Sequence, residues 1–517
     1  MEENKAAAAR PAAPTFEAFL LLFTVFIVGL CTIIYELLIG TTSSYLLGDS
    51  VKQFSLTIGL TMSAMGIGTL LSRAITRNLI QWFILNEIVL GLVGGLSVPI
   101  LFQAYSWTDI YYPIMVSLIM GIGILIGLEI PLLARIMEKH YTLRANISNV
   151  LSVDYFGALV ATILFPFLLL PFLGIYKSAL ITGLINLLIG VFNLWWFRSY
   201  LGLEKFRWLR ASIAGAAVVL CGLLFWSQNL IQAWENSVYE DRVVFSKQSA
   251  YQKIVVTKNK RDLRLYLDGH LQFSTIDEYR YHEALVHVPL GLAAIKEKVL
   301  VLGGGDGLAV REILKYPEVR SVTVVDLDPE VTRLALRHPM LVKANRGSLK
   351  DKRVRIIHMD AFKFLEEFSA LFDVILADLP DPKTSGLSRL YSKEFFGLVN
   401  KRLAKQGVFV TQSTSPYFAK KAFWSIKKTI SAAGFAFVAP YHAYVPSFGD
   451  WGFVMGSKIR RRLDDLALRV PTRYLDRNNI RELFSFSKDL MIEGIKISSL
   501  NEPNVLSYYL EGWKYWN

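Results

Sequence analysis

Apolar positions divide the chain into two parts of different character. Up to about Trp226 the residues are almost continuously apolar, whereas the remainder mixes apolar and charged positions as a soluble domain does. A helix needs about 20 apolar residues to cross a bilayer. Residues 16–230 are therefore predicted to form an α-helical transmembrane bundle of about seven spans, after a disordered Ala/Pro-rich tail at 1–15. The seven segments are Phe16–Leu38, Phe54–Leu71, Phe83–Phe102, Ile114–Leu133, Val150–Leu170, Ala179–Phe197 and Trp208–Trp226.

Basic residues fall mainly in alternate loops between these segments. The first segment is too long for the core of a signal peptide and further segments follow, so it is interpreted as an anchor. The positive-inside rule then predicts a multi-pass membrane protein with a cytoplasmic N-terminus. The supporting residues are Lys5, Arg10, Arg73, Arg77, Arg135, Lys139, Arg144, Arg198, Lys205, Arg207 and Arg210.

Four acidic residues lie in or beside the predicted spans: Glu36, Glu87, Glu129 and Asp154. A charged side chain at the bilayer centre costs roughly 2.5–3.5 kcal/mol, so such residues usually face the bundle interior or water. They fit either a cation site or pathway, or interhelical hydrogen bonds without a ligand. Both interpretations stay open from the sequence.

The second part alternates short apolar runs with amphipathic stretches. Residues 242–290 are predicted to form a small antiparallel β-sheet followed by a helix, because apolar runs flank a charged turn and the turn Asp268-Gly269. Residues 291–517 are predicted to form a Rossmann-like α/β domain with a parallel, doubly wound sheet. Its strands are expected at Val299–Leu302, Ser321–Val325, Val354–His358, Phe372–Ala377, Gly407–Thr411, Phe435–Ala439 and Trp451–Met455.

The first of these strands ends in the glycine-rich turn Gly303–Gly307, as a strand that leads to a ligand-binding helix N-terminus does. The dinucleotide fingerprint G-x-G-x-x-G/A fails, because Leu308 or Val310 stands at its last position. Asp326, about 20 residues further on, suits the hydroxyls of a ribose. The turn therefore predicts a nucleoside ligand without a pyrophosphate, such as S-adenosylmethionine or a relative.

Acidic residues follow four successive strands of the predicted sheet. In open parallel sheets ligands bind outside the carboxyl ends of the strands, so these acids are expected to share one edge. Each alone could be a helix cap or a turn residue. In a chain of net charge +13, an acidic edge favours a neutral or cationic ligand. The acids are Asp306, Asp326, Asp360, Asp378 and Asp381.

Composition excludes other classes of function. The positive charge suggests nucleic acid, but there is no aromatic and basic binding module, and much of the charge flanks the predicted spans. No nucleic-acid partner is expected. The only cysteines, Cys31 and Cys221, lie inside predicted spans, so neither a disulfide framework nor a metal site is predicted.

From about Tyr251 to the end, the chain strongly resembles the spermidine synthase (polyamine aminopropyltransferase) family. The N-terminal part resembles the hydrophobic extension of the membrane-bound bacterial members, which places the chain in a bacterial inner membrane. The motifs that carry the resemblance are Tyr251-Gln252, Leu267-Asp268-Gly269 with Gln272, Asp277-Glu278, Tyr281-His282-Glu283, Gly303-Gly304-Gly305-Asp306-Gly307, Asp326-Leu327-Asp328 and Asp378-Leu379-Pro380-Asp381-Pro382.

The resemblance implies transfer of an aminopropyl group from decarboxylated S-adenosylmethionine, a co-substrate, to putrescine or a related polyamine, without a metal or cofactor. Spermidine and methylthioadenosine would be the products, and a homodimer or higher homo-oligomer is expected. Asp378 would be the catalytic base, and the acceptor would contact Tyr281, Asp381 and Gln412. The donor would contact Gln252, His282, Gly303, Gly305, Asp306, Asp326, Asp360 and Ala361.

Two departures from the family pattern touch the acceptor side. Leu379 and Pro380 stand where two small polar residues are usual, and Phe448 replaces a tyrosine of a Pro-Thr-Tyr pattern. The alternatives are an S-adenosylmethionine-dependent methyltransferase on the same fold, and a polyamine transporter or sensor whose soluble part only binds ligand.

Two arguments give opposite predictions for the side of the membrane on which the soluble part lies. A cytoplasmic N-terminus followed by seven spans places the soluble part outside. The donor is a cytosolic metabolite, which favours the cytoplasmic side, and that side is the expectation from the sequence.

Overall fold

The structure, a computed structural model, describes residues 16–47, 50–105, 110–138 and 141–514. The chain divides into two compact units, Met1–Glu240 and Asp241–Asn517. The predicted tail at 1–15, with Lys5 and Arg10, and the loop residue Lys139 lie outside the described residues.

The first unit, called the helical unit below, consists of long apolar helices that pack around one buried core. Each helix is apolar around most of its circumference, as expected of helices surrounded by other helices or by lipid. The helices are α1 (Phe16–Leu47), α2 (Ser50–Leu71), α3 (Leu79–Tyr105), α4 (Tyr111–Met137), α5 (Leu143–Leu164), α6 (Leu170–Trp196) and α7 (Leu203–Val238).

Within the described residues, six helices are long and apolar enough to cross a membrane, where about seven were predicted. The difference arises because the predicted fifth and sixth segments belong to one helical stretch of 53 residues, Arg144–Trp196. Such a stretch is about 80 Å long, far more than the roughly 30 Å of a hydrocarbon core. Gly174, at φ 71° and ψ 175°, breaks it, so the backbone direction can change there.

Ring contacts show the relative directions of four of the helices, α1, α3, α6 and α7. Phe16, at the start of α1, lies 5.3 Å from Trp196 at the end of α6, measured between ring centroids. Phe102, near the end of α3, lies 6.3 Å from Tyr45 near the end of α1 and 4.4 Å from Trp234 near the end of α7. The chain therefore leaves α7 at the end of the helical unit opposite to the start of α1.

The second unit, called the α/β unit, begins with a four-stranded antiparallel sheet in the order β1-β2-β3-β4. The turn Asp268-Gly269 joins its last two strands, and both residues have positive φ, 49° and 77°, as a tight hairpin requires. The first strand was not predicted, because its mixed and largely solvated sequence lacks a clear apolar alternation. The strands are β1 (Arg242–Gln248), β2 (Lys253–Asn259), β3 (Asp262–Leu267) and β4 (His270–Ser274).

A seven-stranded sheet follows, in the order β10-β11-β9-β8-β5-β6-β7. Strands β5 to β9 are parallel, and β10 and β11 complete the sheet as an antiparallel pair. The strands are β5 (Lys298–Gly303), β6 (Ser321–Asp326), β7 (Val354–His358), β8 (Phe372–Asp378), β9 (Leu403–Gln412), β10 (Phe437–Val445) and β11 (Gly449–Ser457). The predicted fold class, a helical bundle followed by a small antiparallel sheet and an α/β domain, is confirmed.

Helices cover both faces of this sheet. Along β5, Val299 and Val301 join one core cluster, while Leu300 and Leu302 join the cluster on the opposite face. Burial on both faces explains why the strand sequence is continuously apolar. The helices are α8 (Glu278–Leu292), α9 (Leu308–Ile313), α10 (Pro329–Arg337), α11 (Pro339–Asn345), α12 (Ala361–Glu367), α13 (Ser385–Ser388), α14 (Lys393–Arg402), α15 (Lys420–Ala432), α16 (Asn479–Glu482) and α17 (Asn504–Trp513).

The chain order along the sheet reverses between β5 and β8. From β5 the chain moves to β6 and then β7 on one side, and later strands lie on the other side. Such a reversal opens a crevice at the carboxyl ends of the two strands, which is where ligands bind in doubly wound sheets.

Candidate active site

A cavity of about 450 Å³ opens at the carboxyl ends of the parallel strands. All the site residues predicted from the sequence line it, although they come from widely separated parts of the α/β unit. They are Gln252, Tyr281, His282, Gly303, Gly305, Asp306, Asp326, Asp360, Ala361, Asp378, Asp381 and Gln412. Their individual roles stay predictions.

The glycine-rich turn lines the cavity and packs so closely against the neighbouring strands that a side chain would clash at two of its glycines. Gly303 has φ 81°, and a Cβ atom at this position would lie 1.9 Å from the Asp378 carbonyl oxygen. A Cβ atom at Gly305 would lie 2.4 Å from Asp326 Oδ2. The backbone N–H of Gly305 instead donates a 2.9 Å hydrogen bond to that oxygen. The turn is thus held against the ends of both neighbouring strands.

Asp326 ends β6 and organises the loop behind it. Its Oδ1 accepts a 2.9 Å hydrogen bond from the Asp328 backbone N–H. Desolvation raises the pKa of Asp326 to about 6. Asp328 in turn accepts hydrogen bonds from Ser249 Oγ at 2.7 Å and from Gln252 Nε2 at 3.1 Å. This loop therefore joins the small sheet to the large one.

Asp306 lies in the turn itself. Its carboxylate accepts a 2.8 Å hydrogen bond from the Leu308 backbone N–H at the start of α9. Desolvation raises the pKa of Asp306 to about 6, although the charge of His282 opposes that shift. A bound cation would therefore be stabilised by a carboxylate that the surrounding wall shields from solvent.

His282 of α8 is fixed by a charged network that the sequence analysis did not identify. Its Nδ1 lies 2.8 Å from both the backbone oxygen and Oε2 of Glu278. Arg311 donates to both oxygens of Glu278, at 2.8 and 2.9 Å. Burial lowers the pKa of His282, but the hydrogen bond and charge of Glu278 outweigh it and raise the value to about 9. The i,i+4 spacing of Glu278 and His282 was visible in the sequence and could have indicated this contact.

Asp378 ends β8 and faces Gly303 across the parallel pair. The Tyr281 hydroxyl donates a 2.6 Å hydrogen bond to Asp378 Oδ1. Desolvation raises the pKa of Asp378, and the charge of His282 and the Tyr281 hydroxyl offset only part of that effect. This carboxyl group can therefore take up a proton more readily than an exposed one.

Asp381 lies three residues further on and has a different set of partners. Gln412 Nε2 donates to Asp381 Oδ1 at 3.2 Å, and Thr414 Oγ1 donates to Oδ2 at 3.4 Å. The Tyr509 hydroxyl forms another hydrogen bond, while desolvation raises the pKa of Asp381 to about 6. Gln412 is held in turn by the Tyr391 hydroxyl at 2.5 Å. Sequence analysis missed Thr414, Tyr391 and Tyr509.

Asp360 contributes to the local fold as well as to the cavity wall. One of its oxygens accepts hydrogen bonds of 3.1 Å from the backbone N–H groups of Phe362 and Lys363, which caps α12. The other oxygen pairs with Arg389. The capping role that the sequence left open is thus realised, and Ala361 lies in the wall beside it.

The cavity wall also carries aromatic and basic residues outside the predicted set of site residues. Phe448 lies 6.1 Å from Tyr281 and 5.2 Å from Trp451 between ring centroids, so the position without a hydroxyl is part of an aromatic wall. Lys383 and His270 also line the cavity. Burial lowers the pKa of Lys383 and lowers that of His270 to about 4.

The fold and this cavity define an α/β domain with an acid-lined nucleoside site. Residues 278–464 match the spermine/spermidine synthase domain. A polyamine aminopropyltransferase of Oceanobacillus iheyensis is 42% identical over 498 residues, which cover 94% of this chain and 96% of that protein. A polyamine aminopropyltransferase of Leptospira interrogans is 42% identical over 496 residues, covering 95% and 98%.

The chain therefore belongs to the spermine/spermidine synthase family of polyamine aminopropyltransferases. The matches extend through the helical unit as well as the α/β unit, since they cover nearly the whole chain. The solved spermidine synthase from Thermotoga maritima is 26% identical, with a TM-score of 0.44, over 48% of this chain and 86% of its own.

Proposed function

We propose that this protein transfers the aminopropyl group of decarboxylated S-adenosylmethionine to putrescine or a related polyamine, giving spermidine and methylthioadenosine. The observation that carries the proposal is the position of Asp378. It lies at the switch point of the sheet, beside the glycine turn, with Tyr281 bonded to one oxygen and Asp306 in the same cavity.

The donor side follows from charge and hydrogen-bonding capacity. Asp306 attracts the cationic end of the donor, and Asp326 accepts hydrogen bonds from the ribose hydroxyls. Asp360 and Ala361 lie at the adenine edge. Gln252 and His282 complete the donor site, and the network around Glu278 keeps His282 in one orientation.

The reaction needs a neutral amine. A primary amine of pKa about 10.4 is neutral roughly once in a few thousand molecules at pH 7. Asp378 accepts a proton from the acceptor nitrogen, whose lone pair then attacks the methylene carbon beside the sulfonium. The new C–N bond forms as the C–S bond breaks, and the electron pair of that bond leaves with sulfur as neutral methylthioadenosine. Positioning by the cavity supplies most of the remaining acceleration.

The acceptor is placed by a second carboxylate. Asp381, three residues beyond Asp378, holds the acceptor together with Gln412 and Tyr281. The methylenes of a diamine pack against the aromatic wall that contains Phe448 and Trp451. Because Phe448 has no hydroxyl, the wall offers apolar contact at that position and no phenolic hydrogen bond.

The purified full-length protein, incubated with decarboxylated S-adenosylmethionine and putrescine, is expected to form spermidine and methylthioadenosine, detected by mass spectrometry. Asp378→Asn removes the base and should lower kcat by about two to four orders of magnitude with little change in donor affinity. Asp373→Asn, at the other end of the same strand, is the matched control and should keep full activity. Methylated product, or no product with any diamine, would contradict the proposal.

Location and assembly belong to the proposal as well. The six candidate spanning helices support a multi-pass location in a bacterial inner membrane. A homodimer or higher homo-oligomer is proposed from family membership. Cytosolic supply of the donor favours an α/β unit on the cytoplasmic side, whereas the basic loop residues favour the other side.

A further inference from the structure

The core of the helical unit contains a cluster of four polar side chains, called the polar cluster below. Glu87 of α3 and Glu129 of α4 are 0% and 1% exposed, and their neighbours Asn86 and Asn186 are 5% and 1% exposed. The burial is unusual because ionisable side chains are rarely buried unless they are paired or bind a ligand.

The hydrogen bonds inside the polar cluster are incomplete. Asn186 Nδ2 donates to Glu87 Oε2 at 3.0 Å. Asn86 Nδ2 donates to the Leu125 carbonyl at 3.1 Å and lies 3.5 Å from Glu129 Oε1. Asn86 and Glu87 are adjacent in α3, so these hydrogen bonds bring both glutamates into one cluster.

Three buried oxygens receive no hydrogen bond: Asn86 Oδ1, Glu87 Oε1 and Glu129 Oε2. All three atoms are hydrogen-bond acceptors. What the polar cluster lacks is therefore a hydrogen-bond donor or a positive charge. A buried polar atom without a partner costs about 1–3 kcal/mol, and more if it is charged. Among the described residues, no lysine, arginine or histidine forms an ion pair with either carboxylate.

The helices around the polar cluster are too close for a bulky ligand. A Cβ atom at Gly91, one turn from Glu87, would lie 2.8 Å from the Gly183 carbonyl oxygen, and one at Gly183 would lie 2.4 Å from the Gly91 oxygen. A Cβ atom at Gly94 would lie 2.5 Å from the ring of Tyr35. This packing favours a bare ion over an organic amine.

We propose that Glu87, Glu129 and Asn86 form a binding site for one small monovalent cation, a proton or an alkali metal ion, in the core of the helical unit. Two carboxylates buried in one cluster repel each other unless a proton or another monovalent cation offsets their charge. Three oxygens are also too few for Ca²⁺ or Mg²⁺, which take about six or more oxygen ligands. The site is separate from aminopropyl transfer and does not depend on it.

The test uses the full-length protein in lipid nanodiscs, with two readouts for the two cations. Equilibrium retention of radioactive sodium ion measures alkali-ion binding. Infrared difference spectroscopy over a pH titration measures the carbonyl stretch of a protonated, buried carboxylic acid. We expect saturable sodium binding, a carboxylic-acid band, or both.

Three single substitutions assign the site. Glu87→Gln and Glu129→Gln keep the volume and remove one charge each, so each should weaken sodium binding at least tenfold or change the frequency or pH dependence of the carboxylic-acid band. Glu36→Gln, on α1 and outside the polar cluster, is the matched control and should change neither. Size-exclusion chromatography verifies that each variant is monodisperse.

Two results would overturn the proposal. One is a wild-type protein that shows neither saturable sodium binding nor the carboxylic-acid band, a result that requires no variant. The other is sodium binding and a carboxylic-acid band that are both unchanged in Glu87→Gln and in Glu129→Gln, since the cation would then be bound elsewhere.

Discussion

At the residue scale, the hydroxyl of Tyr281 donates a 2.6 Å hydrogen bond to the carboxylate of Asp378. Tyr281 comes from α8, before the parallel sheet begins, and Asp378 ends a central strand. The hydroxyl occupies one carboxylate oxygen and leaves the other for the acceptor amine. It also lowers the pKa of Asp378 against the effect of desolvation.

Tyr281→Phe is expected to lower kcat roughly 10–100-fold, because a hydrogen bond to a charged group contributes about 1.5–3 kcal/mol. Without the hydroxyl, the pKa of Asp378 rises, so the base is ionised only at higher pH. The pH profile of kcat should therefore shift toward higher pH, as measured by initial rates over a pH series. An unshifted profile would show that Tyr281 does not act through Asp378, and unchanged donor affinity serves as the internal control.

Donor affinity should fall as the pH drops below about 6. Desolvation raises the pKa of both Asp306 and Asp326 to about 6, so each is charged above that value and neutral below it. The cationic donor loses an attractive charge as each acid is protonated. The dissociation constant of the donor should therefore rise by up to about tenfold per pH unit for each acid. Isothermal titration calorimetry of the donor should show this loss at low pH and a plateau above about pH 7. A constant affinity across the range would contradict these assignments.

At the residue scale, the sequence identified the groups that end strands but not those that hold them in place. Asp306, Asp326 and Asp378 follow apolar runs, so the topology of a parallel sheet was enough to bring them together. Tyr509 reaches Asp381 from the last helix, and no local pattern connects positions so far apart. The same holds for Arg311, which reaches the site only through Glu278.

At the scale of elements, the glycine turn depends on two separate requirements. One is a positive φ, which costs a residue with a side chain about 1–2 kcal/mol. The other is space, because Gly303 lies against the backbone of the neighbouring strand. Gly347 also has a positive φ, 67°, but a Cβ atom at this position would meet nothing within 4 Å, so the requirement for space does not apply to it.

Gly303→Ala and Gly347→Ala should therefore differ. Both variants carry the cost of the positive φ, but only Gly303→Ala also pushes β5 and β8 apart, which adds about 1–3 kcal/mol. We expect Gly303→Ala to lower the melting temperature more and to lose donor binding, while Gly347→Ala keeps donor affinity. Scanning calorimetry with and without donor distinguishes them, and equal effects would refute the steric argument.

Elements buried on both faces were easier to predict than those at the margins. The central strands β5 and β8, which are buried on both faces, were each predicted to within a residue at either end. By contrast, the last predicted span ends at Trp226, yet α7 continues through the more polar residues that follow, as far as Val238. Polar residues in that stretch remove the apolar pattern without preventing a helix.

At the scale of the whole molecule, the number of times that the chain crosses the helical unit decides at which end it leaves. The number of continuous helices does not decide this. The break at Gly174 gives the fifth candidate span two arms, and the ring contacts show that α1, α3 and α7 run in one direction and α6 in the other. The chain thus enters α1 and leaves α7 at opposite ends of the helical unit. If that unit spans the membrane, the start of α1 and the end of α7 lie on opposite sides.

Paired reporter fusions at the two ends of the chain should therefore report opposite compartments. With the N-terminus in the cytoplasm, as the basic loop residues indicate, the α/β unit would face away from the cytoplasm, against the expectation from donor supply. Alkaline phosphatase and green fluorescent protein fusions at each end measure this directly. Reporters active on the same side would show that one arm of the Arg144–Trp196 stretch does not cross.

The loop after β6 also has a thermodynamic consequence. Asp326 accepts a hydrogen bond from the glycine turn. Asp328, two residues later, accepts hydrogen bonds from Ser249 and Gln252, which connect β1 and β2 of the small sheet. Any ligand that orders Asp326 therefore orders part of the small sheet with it. Because binding and ordering are linked, the backbone amides of the small sheet should be less protected from hydrogen exchange without the donor than with it. Substitutions of residues in this sheet that do not contact the donor should still change donor affinity.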